Sequence, residues 1–424
     1  MLSMNRITVD TLFKFYVTSL FCVEDMHIIT FKGRFLMTGE SLDLAIIIQS
    51  DAYGGTERHT LDFFSHIDDV GFKTEFLYCG KGFDGHIPES YSSIKISKVD
   101  SQVRNITLKD MMLWRTSFKK HHAKRALFVK PSYFSVDLKF LLLLRFCYKE
   151  LIVIEHSLPP KRPPLERIGF IPKIGFWRLK NELLRYCFSK LVDKVITVSE
   201  RARNESNAHT YYKDINVCGN GINIDFWARD TTKGNEFRSK NGIQSNLHLF
   251  GCVGNLFTVK SFHVAIRALS LVSEKNKNRC ALCIVGVGPE YKNLKELAIR
   301  LDVKNVFFVG KQIDMVAVYS AMQTLLITSI SESAPLALLE ATVCNCDVLS
   351  SDVGNCAEVI KEMNNGVIIN SHEPEVWAKI IEDYLNENRC KDEVLQLSRE
   401  SRFKQKYDTK KTMSNLINTI MEKK

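Results

Sequence analysis

Two carboxylates, Glu332 and Glu340, stand with seven residues between them in the stretch 324–360. An apolar run there ends in Ser329, Ser331 and Glu332, the pattern of a strand feeding a polar loop. Pro335 then opens Leu336-Ala-Leu-Leu-Glu-Ala-Thr-Val343, apolar at helical spacing. Proline suits a first helical turn because its missing N–H would have no intrahelical partner. A helix N-terminus is therefore expected beside Glu332. Its free N–H groups and the positive end of its dipole form an anion site of the kind that holds phosphates. Two carboxylates at this spacing suit one exposed and one salt-bridged side chain equally well, so the pair alone does not decide the matter.

Other residues with chemical potential lie at the ends of strand-like runs. After the first such run comes Asp51-Ala-Tyr-Gly-Gly-Thr-Glu-Arg-His-Thr60, in which Gly54 and Gly55 remove side chains at a helix N-terminus. A ligand could approach the backbone closely there, although a plain tight turn also accounts for the glycines. Val153-Ile-Glu-His156 places His156 at a strand tip, just before a loop forced by Pro159 and Pro160. A lone histidine is usually structural, but one at the C-terminal tip of a parallel strand faces the crevice. Lys260 closes Gly251-Cys-Val-Gly-Asn-Leu-Phe-Thr-Val-Lys260. A solvated surface lysine is the plain reading of it. Gly286 belongs to Val285-Gly-Val-Gly-Pro289, which lacks the third glycine of a dinucleotide fingerprint.

The elements that must position these residues alternate along the chain. Strands are expected at 44–48, 72–78, 94–99, 126–130, 151–155 and 194–199, then at 247–254, 280–286, 306–310, 324–329, 347–353 and 366–369. Amphipathic helices fall between them, the signature of an α/β protein with parallel sheets. At 424 residues the chain suits two domains. The expected organisation is an extension at 1–40, a first Rossmann-like domain at 41–227, a polar hinge at 228–245, a second Rossmann-like domain at 246–402 and a final helix at 403–424. The extension reads as an accessory segment, with a native start nearer Met37 as the alternative. A composition of 45% hydrophobic and 25% charged residues is that of a soluble globular protein. No apolar run reaches the roughly 20 residues that span a bilayer. Residues 138–148 are short and carry Lys139 and Arg145, so they read as a core helix.

Twelve cysteines are scattered at uneven spacings, which fits reduced thiols better than a disulfide framework. A zinc site built from Cys280, Cys283, Cys344, Cys346 and Cys356 is disfavoured, because no second pair or histidine has ligand spacing. The net charge of +10 favours anionic partners without choosing among them. Basic residues gather at 119–125 and at Lys161, Arg162, Arg167, Lys173, Arg178, Lys180 and Arg185, interleaved with Phe170, Phe176 and Trp177. That composition suits a solvated face or a surface docking on anionic lipid. No RNA-binding signature accompanies it, and no nucleic-acid partner is expected.

The stretch with the two carboxylates resembles the E-x7-E region of the retaining glycosyltransferases of family 4. Ser329, Glu332, Pro335, Glu340, Ala341, Asp352, Gly354, Glu358 and Ile360 stand where that pattern wants them. Val198-Ser199 and Asn220-Gly221 match punctuation of the first domain, and Lys260 matches the lysine of a G-R-L-x-x-x-K-G motif. The departures are Asn255 for the arginine and Ser261 for the glycine of that motif, Ser333 for the glycine after the first Glu, and Asn345, Asp347 and Asn355 in the following loops.

The resemblance implies a GT-B fold: two Rossmann-like domains facing across a cleft, with a C-terminal helix crossing back to the first domain. It implies a hexosyltransferase-type enzyme that takes a nucleotide-sugar donor and a glycan or lipid-linked acceptor, in cell-surface polysaccharide or lipopolysaccharide synthesis. By the same resemblance Glu340 would bind the donor ribose and Glu332 the sugar hydroxyls. Lys260, Asn255, Gly286 and the turn of Ser333, Ala334, Pro335 and Leu336 would face the donor diphosphate. Gly54, Gly55 and His156 would lie on the sugar and acceptor side, with Glu332, His156 and Lys260 closest to the chemistry. No Asp-x-Asp occurs, so no metal or other cofactor is implied. The location implied is cytoplasmic, or peripheral on the inner face of the cytoplasmic membrane. The alternative is a non-catalytic sugar-nucleotide or glycan-binding homologue.

Overall fold

The structure, a computed structural model, describes residues 41–422 apart from 52, 89–90, 120–121, 131–136, 159–166, 169–170, 173–175 and 387–392. The expected extension at 1–40 lies outside the described residues. The first half contains β1 (Ser41–Gln49), β2 (Thr74–Cys79), β3 (Ile94–Lys98), β4 (His122–Lys130), β5 (Glu150–Glu155), the short β6 (Arg167–Ile168) and β7 (Ile171–Pro172), β8 (Lys194–Thr197) and β9 (Ile215–Val217). The second half contains β10 (His248–Val253), β11 (Cys280–Val285), β12 (Val306–Gly310), β13 (Thr324–Ile327), β14 (Asp347–Ser351) and β15 (Gly366–Ile369).

Leu44 to Ile48 of β1 are at most 3% exposed, and every residue of β11 is buried. Continuous apolar runs of this kind belong in parallel sheets covered on both faces. The strands pair accordingly. The first sheet runs β3-β2-β1-β4-β5-β8-β9 and the second β12-β11-β10-β13-β14-β15, with parallel pairing throughout. In both sheets the order reverses beside the first strand, between β1 and β4 and between β10 and β13. That switch point opens a crevice at the strand C-terminal ends, where ligands of doubly wound folds bind. β6 and β7 form a separate antiparallel pair that the sequence pattern does not announce, and the three-residue β9 extends the first sheet.

The polar stretch 228–245, expected as the hinge, contains a helix. Asp230 caps a helix, Thr231–Lys240, by accepting from the Lys233 N–H at 3.0 Å. Arg238, only 4% exposed, donates to the carbonyls of Ala321, Gln244 and Leu247. Arg229 donates to the carbonyls of Cys344, Ser320 and Met322. These guanidinium groups satisfy helix-end and loop carbonyls of the second domain, so the segment packs on that domain despite its polar composition.

The chain then returns. Helix Glu393–Tyr407 lies on the second domain, and helix Thr409–Met421 crosses to the first. Met413, Leu416, Ile417 and Ile420 are buried on one face and join Phe63, Phe64 and Ile67 in the first domain's core. Each such side chain contributes about 1.5–3 kcal/mol on burial. The join is a backbone exchange, in which the Ile222 N–H donates to the Tyr407 carbonyl at 2.8 Å and the Thr409 N–H to the Ile222 carbonyl at 3.1 Å. Gly221 lies directly beneath it: a Cβ there would come within 2.0 Å of Thr412 Oγ1 and 2.8 Å of Thr409 Cα. Gly221→Ala is expected to push the crossing helix outward and lower stability by about 1–3 kcal/mol. An unchanged urea midpoint for this variant would show that the join has slack the geometry denies.

Candidate active site

The second domain gathers its polar residues at the ends of β10, β13 and β14. A single 3-10 turn, Thr258–Lys260, follows β10 and aims Lys260 inward, where its Nζ donates to Glu332 Oε1 at 2.6 Å. Ser329 Oγ donates to the same oxygen at 2.7 Å, so the carboxylate is held from two sides. Thr328 Oγ1 fixes the turn by donating to the Lys260 carbonyl at 2.9 Å. Ser261, in the place of the motif's glycine, has φ +49°, a left-handed conformation that costs a side chain roughly 1–2 kcal/mol. Asn345 also has positive φ, +55°, a geometry asparagine tolerates well. Gly354 has φ +53°, and a Cβ on it would lie 2.5 Å from the Ser333 carbonyl. Only glycine lets this loop close over the turn before the helix.

That helix runs Leu336–Val343, and Pro335 is its N-cap, extended at φ −67° and ψ 122°, rather than part of its first turn. Among the described residues Ser333 Oγ has no hydrogen-bond partner and is buried at the helix entrance. The Ala334 carbonyl accepts from Asn220 Nδ2, of the first domain, at 2.8 Å. The sequence pattern marks Asn220 only as punctuation of the first domain. Gly286 follows β11, and its N–H donates to the Gly310 carbonyl at 2.9 Å.

Glu340 is buried and doubly held. Tyr319, itself fully buried, donates its hydroxyl to Oε2 at 2.7 Å. Arg58, from the first domain, meets Oε1 at 2.5 Å and rests its guanidinium 4.6 Å from the centre of the Trp227 ring. Burial, with the Glu340 charge beside it, pushes the Tyr319 hydroxyl far above its usual range, so it remains a donor. None of Arg58, Tyr319 and Trp227 was picked out by sequence reasoning. Arg58 could have been, since it lies one helical turn beyond Gly54 in the same glycine-opened helix, Gly55–Asp69. Tyr319 and Trp227 carry no local signal.

The first domain supplies the opposite wall. Gly54 and Gly55 sit where an added Cβ would be 3.6 Å from Asn255 Nδ2 and 3.6 Å from Leu336 Cδ1, so the two domains touch along this turn. Arg201 and Asp352 form a second ion pair between them at 2.8 Å. His156 follows β5 and packs edge-on against His59, ring centres 4.9 Å apart. Burial keeps both imidazoles neutral, lowering His59 to about 4 and His156 well below its ordinary value. His156 Nε2 is shut off from solvent without a hydrogen-bond partner among the described residues.

Several sequence-marked residues lie elsewhere. Glu358 pairs at 2.8 Å with Lys406, joining two helices of the second domain rather than entering the crevice. Arg185, grouped with the basic surface residues, is 2% exposed and donates to the His209 carbonyl, because its helix turns that side chain inward. Lys161, Arg162, Phe170 and Lys173 lie outside the described residues. Cys280, Cys283 and Cys356 are buried, and burial pushes their thiols up to about 11, 12 and 12 respectively. No helix among the described residues is long and apolar enough to cross a membrane.

Comparison with known proteins agrees with this architecture. Residues 234–404 match the family model described as "Glycosyl transferases group 1". The D-inositol 3-phosphate glycosyltransferase of Corynebacterium glutamicum (strain R) is 25% identical over 226 residues, covering 50% of this chain and 54% of the relative. The N-acetyl-alpha-D-glucosaminyl L-malate synthase of Bacillus anthracis is 28% identical over 192 residues, 44% of this chain and 49% of that protein. The chain thus spans about half the length of the curated relatives it matches. Anabaena Alr3699/HepE, solved with UDP and glucose, superposes with a TM-score of 0.70 at 16% identity over 90% of this chain and 100% of that one. WaaG, a glycosyltransferase involved in lipopolysaccharide biosynthesis, superposes with a TM-score of 0.66 at 18% identity over 90% and 100% of the two chains. At these identities the structural likeness is one of fold. Residues 234–404 thus match a group 1 glycosyl transferase model, in a chain whose fold is that of the GT-B glycosyltransferases WaaG and Alr3699/HepE.

Proposed function

We propose that this chain transfers a sugar from a nucleotide-sugar donor to a glycan or lipid-linked acceptor, with retention at the anomeric carbon, in the synthesis of a cell-surface polysaccharide or lipopolysaccharide. The observation that carries this reading is the Lys260–Glu332 pair at 2.6 Å, set beside the entrance of helix Leu336–Val343 in the crevice of the second domain. Lysine and the helix end offer positive charge where a departing diphosphate needs it, and preorganised charge of this kind is usually a large catalytic contribution. Glu332, pinned by Lys260 and Ser329, is oriented to accept from sugar hydroxyls. His156, kept neutral by burial at the tip of β5, brings no charge to the sugar side of the crevice. The names of the relatives, the UDP and glucose bound to Alr3699/HepE and the pathway in WaaG's name support the donor class and the kind of product. The net charge of +10 supports a peripheral place on anionic membrane.

A non-catalytic sugar-nucleotide binder is the second reading, favoured by the neutral Asn255 at the seam beside Gly54. Hydrolysis and transfer measured over a panel of nucleotide sugars separates the two. Turnover supports the transferase, whereas binding without turnover of any donor would leave only the binder. Within the transferase reading, Lys260→Met and Glu332→Gln are each expected to lower turnover by about 100- to 1,000-fold.

The histidine pair makes stability depend on pH. The unfolded chain takes up its His59 proton near 6.5, the native protein only near 4. Between those values the unfolded state binds more protons, so stability falls as the pH drops. His59 alone accounts for about 2 kcal/mol of loss between pH 7 and pH 5. Urea midpoints at the two pH values should lie closer together in His59→Asn than in the wild type, with His156 keeping its own share of the difference. An equal pH-dependent loss in that variant would place the sensitivity elsewhere.

A further inference from the structure

The two carboxylates of the crevice are neutralised from different domains: Glu332 by Lys260 of its own domain at 2.6 Å, Glu340 by Arg58 of the other at 2.5 Å. The cations facing this part of the crevice are therefore matched one to one, and a diphosphate entering it meets no uncommitted positive side chain among them. A donor carries both kinds of group needed to resolve that balance. Its hydroxyls donate hydrogen bonds, which carboxylates accept, and its phosphate oxygens accept bidentate hydrogen bonds from a guanidinium.

We propose that Arg58 is a ligand of the donor diphosphate, held on Glu340 until a donor exchanges partners with it. In the exchange the ribose hydroxyls take the Glu340 oxygen that Arg58 leaves, and the guanidinium turns onto the phosphates. Three observations support Arg58 in this role. Its side chain is 27% exposed, against 8% for Glu340, so the guanidinium rather than the carboxylate is the partner with room to move. It lies against Trp227, a flat face over which a guanidinium can slide while its charge stays stabilised. Its backbone N–H makes the first helical bond, to the Gly54 carbonyl at 3.1 Å, so the side chain springs from the helix start that faces Asn255 and Leu336 at the seam of the two domains. Tyr319 keeps its bond to Oε2 throughout, so Glu340 never loses all its partners.

The exchange balances only when hydroxyls and phosphates arrive together. A nucleoside alone would strip Glu340 from Arg58 and leave a guanidinium at the seam without a counter-charge, a costly state in a partly desolvated site. This inference rests on the proposed donor-binding role of Glu340, so its test separates the two. Calorimetric titration with UDP, GDP, ADP and dTDP, and with the matching nucleosides, is made on the wild-type chain, on Arg58→Met and on Arg58→Lys. The wild type is expected to bind one diphosphate at least 100-fold more tightly than its nucleoside. Arg58→Met should weaken the diphosphate by about 10- to 100-fold while leaving the nucleoside unchanged or tighter, which narrows the ratio; Arg58→Lys should fall between. A general loss of structure would weaken both ligands alike, so the ratio distinguishes it. Diphosphate affinity in Arg58→Met equal to or above that of the wild type would overturn the exchange and leave Arg58 as a simple interdomain tie. Failure of the wild-type chain to bind any of the four diphosphates would overturn the donor reading, and the exchange with it.

Discussion

A buried carboxylate must find a cation, and for Glu340 the cation comes from the other domain. The helix that carries Glu340 is apolar on nearly every other position, and Leu338, Leu339 and Ala341 are sealed in the second domain's core. An ionised side chain there is tolerable only with charge and hydrogen bonds to match it. Tyr319 provides one bond from within the domain, and Arg58 provides the charge from outside. The docking of the two Rossmann units is therefore written into the chemistry of one side chain, and the turn at Gly54 and Gly55 faces the second domain's Asn255 and Leu336 across the seam.

Much of this was legible in the residues themselves. Long apolar runs such as Leu44 to Ile48 and Cys280 to Val285 can only be buried strands, and their alternation with amphipathic helices leaves little freedom in topology. The placement of Lys260 beside Glu332 followed from two motifs that lie far apart in sequence but at neighbouring strand ends, β10 beside β13. What stayed hidden was of a different kind. Residues 228–245 look like a linker because their polar groups face backbone carbonyls that composition cannot show, as the hydrogen bonds of Arg229 and Arg238 reveal. Arg185 looks like surface charge for the same reason. The partners of Glu340 come from 282 and 21 residues away, and no local pattern announces a contact at such a distance.

The departures from the family pattern divide by physical cost. Asn345 takes a left-handed turn at little penalty, whereas Ser261 takes one at a real penalty, held by its N–H donating to the Thr258 carbonyl at 3.1 Å and its carbonyl accepting from the Val264 N–H at 2.9 Å. Ser333 leaves a buried hydroxyl without a partner among the described residues at the helix entrance. Strain and unsatisfied polarity thus concentrate in the few residues around Lys260 and Glu332, while the sheets beneath them are conventional in order and packing.

The crossing helix sets a timetable for synthesis. Met413, Leu416, Ile417 and Ile420 fill the core of a domain whose own strands end at Val217. On the ribosome, at about 5–20 residues per second, the first domain would wait roughly 10–40 s between completing its sheet and receiving the helix that seals it. During that interval Phe63, Phe64 and Ile67 present an open apolar groove, and the nascent chain is exposed to capture by chaperones or by a neighbouring copy. The second domain meets no such delay, because its strands and the helices that cover them follow one another without a long-range debt.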